Sequence, residues 1–127
     1  MDVALVESAY EAWNRRDVER LIELTHPDVE MAPLVLGAIS SGPWQGHDGV
    51  RRLVAQAEKW ARFEIQCEEI LTFGELAVAL VRVEVAARPD SPTVTGDIAH
   101  VIEFDGDRAR RFAAYRDRGE AIAAAKA

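Results

Sequence analysis

Three residues have the types and spacing for acid–base chemistry: Arg82, Glu84 and His100. Arg82-Val83-Glu84 lies in a run rich in valine and alanine, and residues two apart on a strand share a face. On the following strand His100 shares its face with Ile98 and Ile102. A hairpin centred near Ser91 sets Arg82 opposite His100 and Glu84 opposite Ile98, which makes the three groups neighbours. In an apolar cavity, burial raises a carboxylate's pKa while an adjacent arginine lowers it, and a carboxylate helps an imidazole keep its proton. That set suits an uncharged organic substrate, with Glu84 or His100 as base for a water and Arg82 orienting it. The same strand offers a second assignment. Ala79, Val81, Val83 and Val85 make the cleaner core face, which leaves Arg82 and Glu84 as a solvated cross-strand pair.

Positioning these residues takes a sheet and something to close it. Val3, Val6, Ala9, Tyr10 and Trp13 recur at helical spacing, so Val3 to Asn14 reads as a helix. Asp17 is a natural N-cap for a second helix, which His26-Pro27 ends. A short strand is expected around Val29 to Ala32, then a loop from Gly37 to Gly46. Gly46-His47-Asp48-Gly49 opens a third helix with Val50, Leu53, Val54, Ala57 and Trp60 as its stripe. Phe63, Ile65 and Cys67 alternate with polar residues as a half-buried strand does. Strands follow over Leu76–Ala87, Thr93–Phe104 and Arg108–Tyr115, joined by Arg88–Pro92 and by a turn at Asp105-Gly106. Ala121 to Ala125 suggests a short terminal helix. The order is that of an α+β domain spanning 1–127, with three N-terminal helices on the concave face of a twisted antiparallel sheet and a pocket between them.

Composition narrows the class. The chain has 127 residues, 49% hydrophobic and 29% charged, which suits one globular domain. No apolar run approaches the ~18 residues of a membrane span, and the first residues show no signal-peptide pattern. One cysteine gives no intrachain disulfide, so the cytoplasm is the expected compartment. A net charge of −7 argues against nucleic acid or an anionic membrane as partner.

Four segments together resemble one family. They are Tyr10-Glu11-Ala12-Trp13-Asn14-Arg15-Arg16-Asp17, His26-Pro27-Asp28-Val29, Gly46-His47-Asp48-Gly49-Val50 and Tyr115-Arg116-Asp117-Arg118-Gly119-Glu120-Ala121. Their order and spacing resemble the SnoaL-like branch of the NTF2-like superfamily over essentially the whole chain. That resemblance implies a cone-shaped fold, often a homodimer through the convex sheet face. It also implies relatives among polyketide cyclases, ketosteroid isomerases and limonene-type epoxide hydrolases, beside non-catalytic modules. The isomerase pattern places its tyrosine on Ala9, its base aspartate on Pro33 and its oxyanion-hole aspartate on His100. The epoxide hydrolase pattern keeps Arg82-Val83-Glu84, with glutamate for aspartate. It places its second aspartate on Ala114 and its water-positioning residues near Met31 and Pro33.

Further residues are candidates for holding substrate. Trp13 and Trp60 fall on helical core stripes and can line a cavity. Trp44, between Pro43 and Gly46, suits a lid or a plug over the core. Arg116 shares a face with Phe112 and Ala114 and reaches the pocket mouth, where it suits an anionic substituent. Cys67 reads as packing. His26, His47 and His100 lack ligand spacing, so no metal site is expected, and Gly46 and Gly49 fit no phosphate loop, so no cofactor is implied. Two functions remain: a cofactor-free hydrolase or isomerase/cyclase acting on a hydrophobic small molecule, or a non-catalytic binding or dimerisation module. The first requires Glu84 and His100 in one cavity. The second predicts a cavity lined by apolar residues alone.

Overall fold

The computed structural model of the chain describes residues 2–32, 34, 35, 38, 39 and 44–127. Met1, Pro33 and Leu36, and Gly37 and Ser40 to Pro43 of the expected loop, lie outside the described residues. Helices α1 (Val3–Arg15) and α2 (Val18–Glu23) lead into strand β1 (Thr25–Ala32). The short strands β2 (Leu34–Val35) and β3 (Ala38–Ile39) pair with each other, and β4 (Trp44–Gln45) pairs with β1. Helix α3 (Gly46–Glu58) precedes β5 (Arg62–Phe73), β6 (Leu76–Ala86), β7 (Val94–Asp105) and β8 (Arg108–Tyr115), and α4 (Arg118–Lys126) ends the chain. The main sheet has the order β4-β1-β8-β7-β6-β5. Only β1 and β8 run parallel in it; the other pairs are antiparallel.

The helix boundaries follow from capping. Asp2 accepts a hydrogen bond from the Ala4 amide at 2.9 Å and so satisfies a free donor at the start of α1. Arg16 ends α1 in the left-handed conformation, φ 58°, and Asp17 then caps α2 through the Arg20 amide. Asn14 uses its side-chain amide as a peptide group. It donates to the Ile65 carbonyl and accepts from the Ile65 amide, both at 2.9 Å. Because β5 is an edge strand, its main chain has these groups to spare, and the double bond fixes α1 against the sheet. Arg16 adds bonds to the Trp13 and Phe63 carbonyls at 2.6 and 2.7 Å. Tyr10, one turn before Asn14, is thereby set over the sheet.

Two apolar cores lie on the two faces of the sheet. The inner one gathers Val6, Tyr10 and Trp13 of α1, Val54 and Ala57 of α3, and Ala77, Ala79, Val81, Ile102 and Phe104 of the sheet. The outer one packs Ala121 and Ala125 of α4 against Val78 and Ala99. Helix α4 is longer than its alanines suggested because Asp117 caps it at the Glu120 amide. Arg118 then ties its first turn to the sheet, donating to the carbonyls of Val81 and Ile98 at 3.1 and 3.3 Å and to Glu68 at 2.6 Å. The convex face expected to carry a dimer is thus divided between α4 and a charged band of Arg62, Glu64, Arg82, Glu84 and Asp97.

The register of β6 with β7 differs from the expected one. His100 pairs with Ala79, Val81 with Ile98, Arg82 with Asp97 and Glu84 with Thr95. The hairpin turns about Pro89 and Asp90 and not about Ser91. His100 therefore moves three places along its partner, and an odd displacement carries a side chain to the opposite face. Strand β1 also begins earlier than expected, at Thr25, because Thr25 closes α2 by donating to the Leu21 carbonyl at 2.9 Å.

Candidate active site

Between the helices and the concave sheet face lies a cavity of about 880 Å³. Its walls come from Val50, Leu53 and Val54 of α3, Val83 and Val85 of β6, and Ile98 and Ile102 of β7, among other apolar residues. One wall is aromatic. Trp13 meets Phe63 edge-on at 5.3 Å between ring centroids, and Trp60 meets the same Phe63 at 6.3 Å. Such edge-on pairs stiffen the wall. The Trp13 Nε1–H is buried with no hydrogen-bond partner among the described residues, a cost of about 1–3 kcal/mol.

At the inner part of the cavity is one polar pair. The Tyr10 hydroxyl lies 2.7 Å from Nδ1 of His100, and the two rings stand nearly parallel at 14°. Phe112 packs on the other side of the imidazole at 4.5 Å. His100 is the single buried polar or charged residue among the described residues, 4% exposed. Burial pushes its imidazole pKa down to about 3 and pushes the Tyr10 hydroxyl well above its ordinary range, with Cys67 adding to the latter. Both groups are neutral across physiological pH. Tyr10 is the residue that sequence reasoning missed. Its signal was present: a tyrosine on the Val6–Trp13 stripe is buried, and a buried hydroxyl needs a partner.

The pair has two tautomeric arrangements. If Tyr10 O–H donates to Nδ1, the imidazole keeps Nε2–H as a donor and the phenol oxygen keeps a lone pair. If Nδ1–H donates to the phenol oxygen, Tyr10 keeps its O–H and Nε2 becomes the acceptor. Either way the pair offers one donor and one acceptor without forming a charge.

The expected triad does not assemble. His100 faces the cavity, whereas Arg82 and Glu84 point to the convex side, where Glu84 accepts from Arg62 at 2.6 and 3.1 Å. The reason is the register, which puts Val81, Val83 and Val85 inward. The other candidates divide as follows. Trp13, Trp60, Phe112 and Arg116 line the cavity. Trp44 does not: it is 5% exposed, paired with Met31 in β4, with the Arg52 guanidinium 5.1 Å from its ring. Among the described residues no cluster of three His, Cys, Asp or Glu side chains is placed to hold a metal ion. No helix among them is long and apolar enough to cross a membrane.

Comparison with known proteins agrees with this architecture. An NTF2-like protein of unknown function from Burkholderia pseudomallei K96243 superposes with a TM-score of 0.78 at 27% identity, over 100% of both chains. TerC, co-crystallised with polyporic acid, superposes at 0.74 with 21% identity over 98% of each chain. An LEH-like epoxide hydrolase of M. tuberculosis superposes at 0.72 with 17% identity, over 94% of this chain and 85% of that one. No curated protein matches the sequence. The profile of the SnoaL-like domain matches residues 6–112, across the inner core and the Tyr10–His100 pair, and the chain therefore belongs to the SnoaL-like domain family, with an NTF2-like fold.

Proposed function

We propose that the cavity binds a largely apolar small molecule carrying a carbonyl oxygen, and that Tyr10 and His100 catalyse its enolisation without a cofactor, an isomerase/cyclase type of reaction. The observation that carries this reading is the 2.7 Å contact between two neutral, buried groups in a largely apolar cavity. A site that penalises both imidazolium and phenolate favours proton movement that creates no charge. In one such step Nε2–H passes its proton to the carbonyl oxygen, Nδ1 takes the Tyr10 proton, and the phenol oxygen takes the proton leaving the α-carbon. The ketone becomes an enol, and the pair ends in its other tautomer. A neutral imidazole acting as electrophile on a carbonyl has enzymatic precedent. TerC, a protein of similar fold, was co-crystallised with polyporic acid, which supports an organic small molecule as the ligand.

A second reading is binding without turnover. It is favoured by one observation: among the described residues no carboxylate lines the cavity, so a strong base for the α-proton is missing. Deuterium exchange separates the two. Bicyclic ketones incubated with the protein in D2O are followed by NMR at the α-carbon. Exchange above the buffer rate that His100→Ala or Tyr10→Phe abolishes supports catalysis. Ketone binding with exchange at the buffer rate leaves the binding module as the function.

A further inference from the structure

The cavity carries a charge pattern opposite to that of the whole chain. The protein has 22 acidic against 15 basic residues, yet the described residues lining the cavity include no Asp or Glu and one charged side chain, Arg116. Among the described residues Arg116 has no carboxylate within 4.0 Å; it shares this with other surface arginines, and what sets it apart is its place on the cavity lining. Arg116 is solvent-exposed where it lines the cavity, and its planar fork there matches a carboxylate or sulfonate.

We propose that the natural ligand is an organic anion, with an apolar ring skeleton inside the cavity and an acidic group held by Arg116. This rests on the cavity-binding reading above. Ala114 pairs with His100, and Arg116 follows two residues later, just past the end of β8, so His100 and Arg116 line one cavity at different depths. Gly96 supplies the room. It lines the cavity beyond Ile98 on the His100 face, and a Cβ built there meets nothing within 4 Å.

The test uses two probes of one skeleton: N-phenyl-1-naphthylamine, which is neutral, and its sulfonate, 1-anilinonaphthalene-8-sulfonate. Both are read by fluorescence titration. Despite the repulsion expected from a net charge of −7, the wild-type protein is expected to bind the sulfonate more tightly. Arg116→Gln should weaken the sulfonate about tenfold and leave the neutral probe unchanged, while Arg116→Lys retains much of the preference. Raising the salt should weaken only the sulfonate. Gly96→Phe, which fills the open space, should weaken both probes. If the neutral probe binds and Gly96→Phe blocks it, but Arg116→Gln changes both probes alike or neither, the anion proposal is overturned and the cavity reading stands. If Gly96→Phe affects neither probe, or the neutral probe does not bind, the cavity reading falls and the anion proposal with it.

Discussion

The Tyr10 hydroxyl and the His100 imidazole, ninety positions apart in the chain, meet at 2.7 Å where α1 crosses the sheet. Each satisfies the other's hydrogen bond where both are buried. Tyr10→Phe leaves Nδ1 of His100 buried without a partner and should lower stability by about 1–3 kcal/mol. The double variant Tyr10→Phe/His100→Leu removes both polar groups and should recover part of that loss. Urea unfolding of the four members of this cycle measures it, and a fully additive result would contradict the pairing.

Stability should depend on pH through His100. Its folded-state pKa of about 3 lies below the ordinary 6.5, so between these values the unfolded chain takes up a proton that the folded chain refuses. The stabilisation is complete above about pH 6.5 and is lost as pH falls toward 3, by up to about 1.4 kcal/mol per pH unit. Carboxylates titrate at the lower end, so the informative quantity is the difference between wild type and Tyr10→Phe/His100→Leu from pH 6.5 down to 5. The wild type should lose more stability across that interval. Parallel curves would mean that His100 titrates alike in both states.

The β6–β7 register predicts an absence of effect. Glu84→Gln and Arg82→Gln alter groups on the convex face, with Glu84 held by Arg62. Ketone binding and α-proton exchange should match wild type within error in both variants. A tenfold loss in either would place these side chains in the cavity and overturn the register.

Arg118 should act as the clamp that holds α4. Its guanidinium reaches two main-chain carbonyls and Glu68 while one third exposed, so Arg118→Ala should lower stability by about 1 kcal/mol. Hydrogen exchange should quicken in α4 and hardly change in α1. Uniform quickening would show that Arg118 supports the whole fold and not this helix in particular.

Much of this arrangement was legible in the sequence. The Val6–Tyr10–Trp13 stripe, the cap Asp17 and the period-two valines of β6 are local signals, and each produced the element it predicts. What was not legible was the phase between strands. The loop from Arg88 to Pro92 permits more than one turn centre, and a shift there decides whether Arg82 or Val83 faces inward. The core-forming alternation of Ala79, Val81, Val83 and Val85 carried the right answer, because four apolar side chains gain more from burial than a charged pair loses to water. The partnership of Tyr10 with His100 was hidden for a different reason. It joins a helix to a strand across the core, and no local pattern encodes such a meeting. Trp44 could be a lid or a plug on the sequence alone; its burial fits the plug, and the bonding of β4 to β1 that sets it is nonlocal as well.

The central claim is that Tyr10 and His100 form a neutral pair that receives the ligand's oxygen. Nitrogen-15 NMR of the His100 ring, with and without a bicyclic ketone such as 1-tetralone, tests it most directly. The ring should stay neutral from pH 8 to about 4.5, and saturating ketone should shift its Nε2 resonance in wild type. A His100 ring that titrates near pH 6.5, or that ignores a ketone whose binding quenches the fluorescence of the cavity tryptophans, would contradict the account.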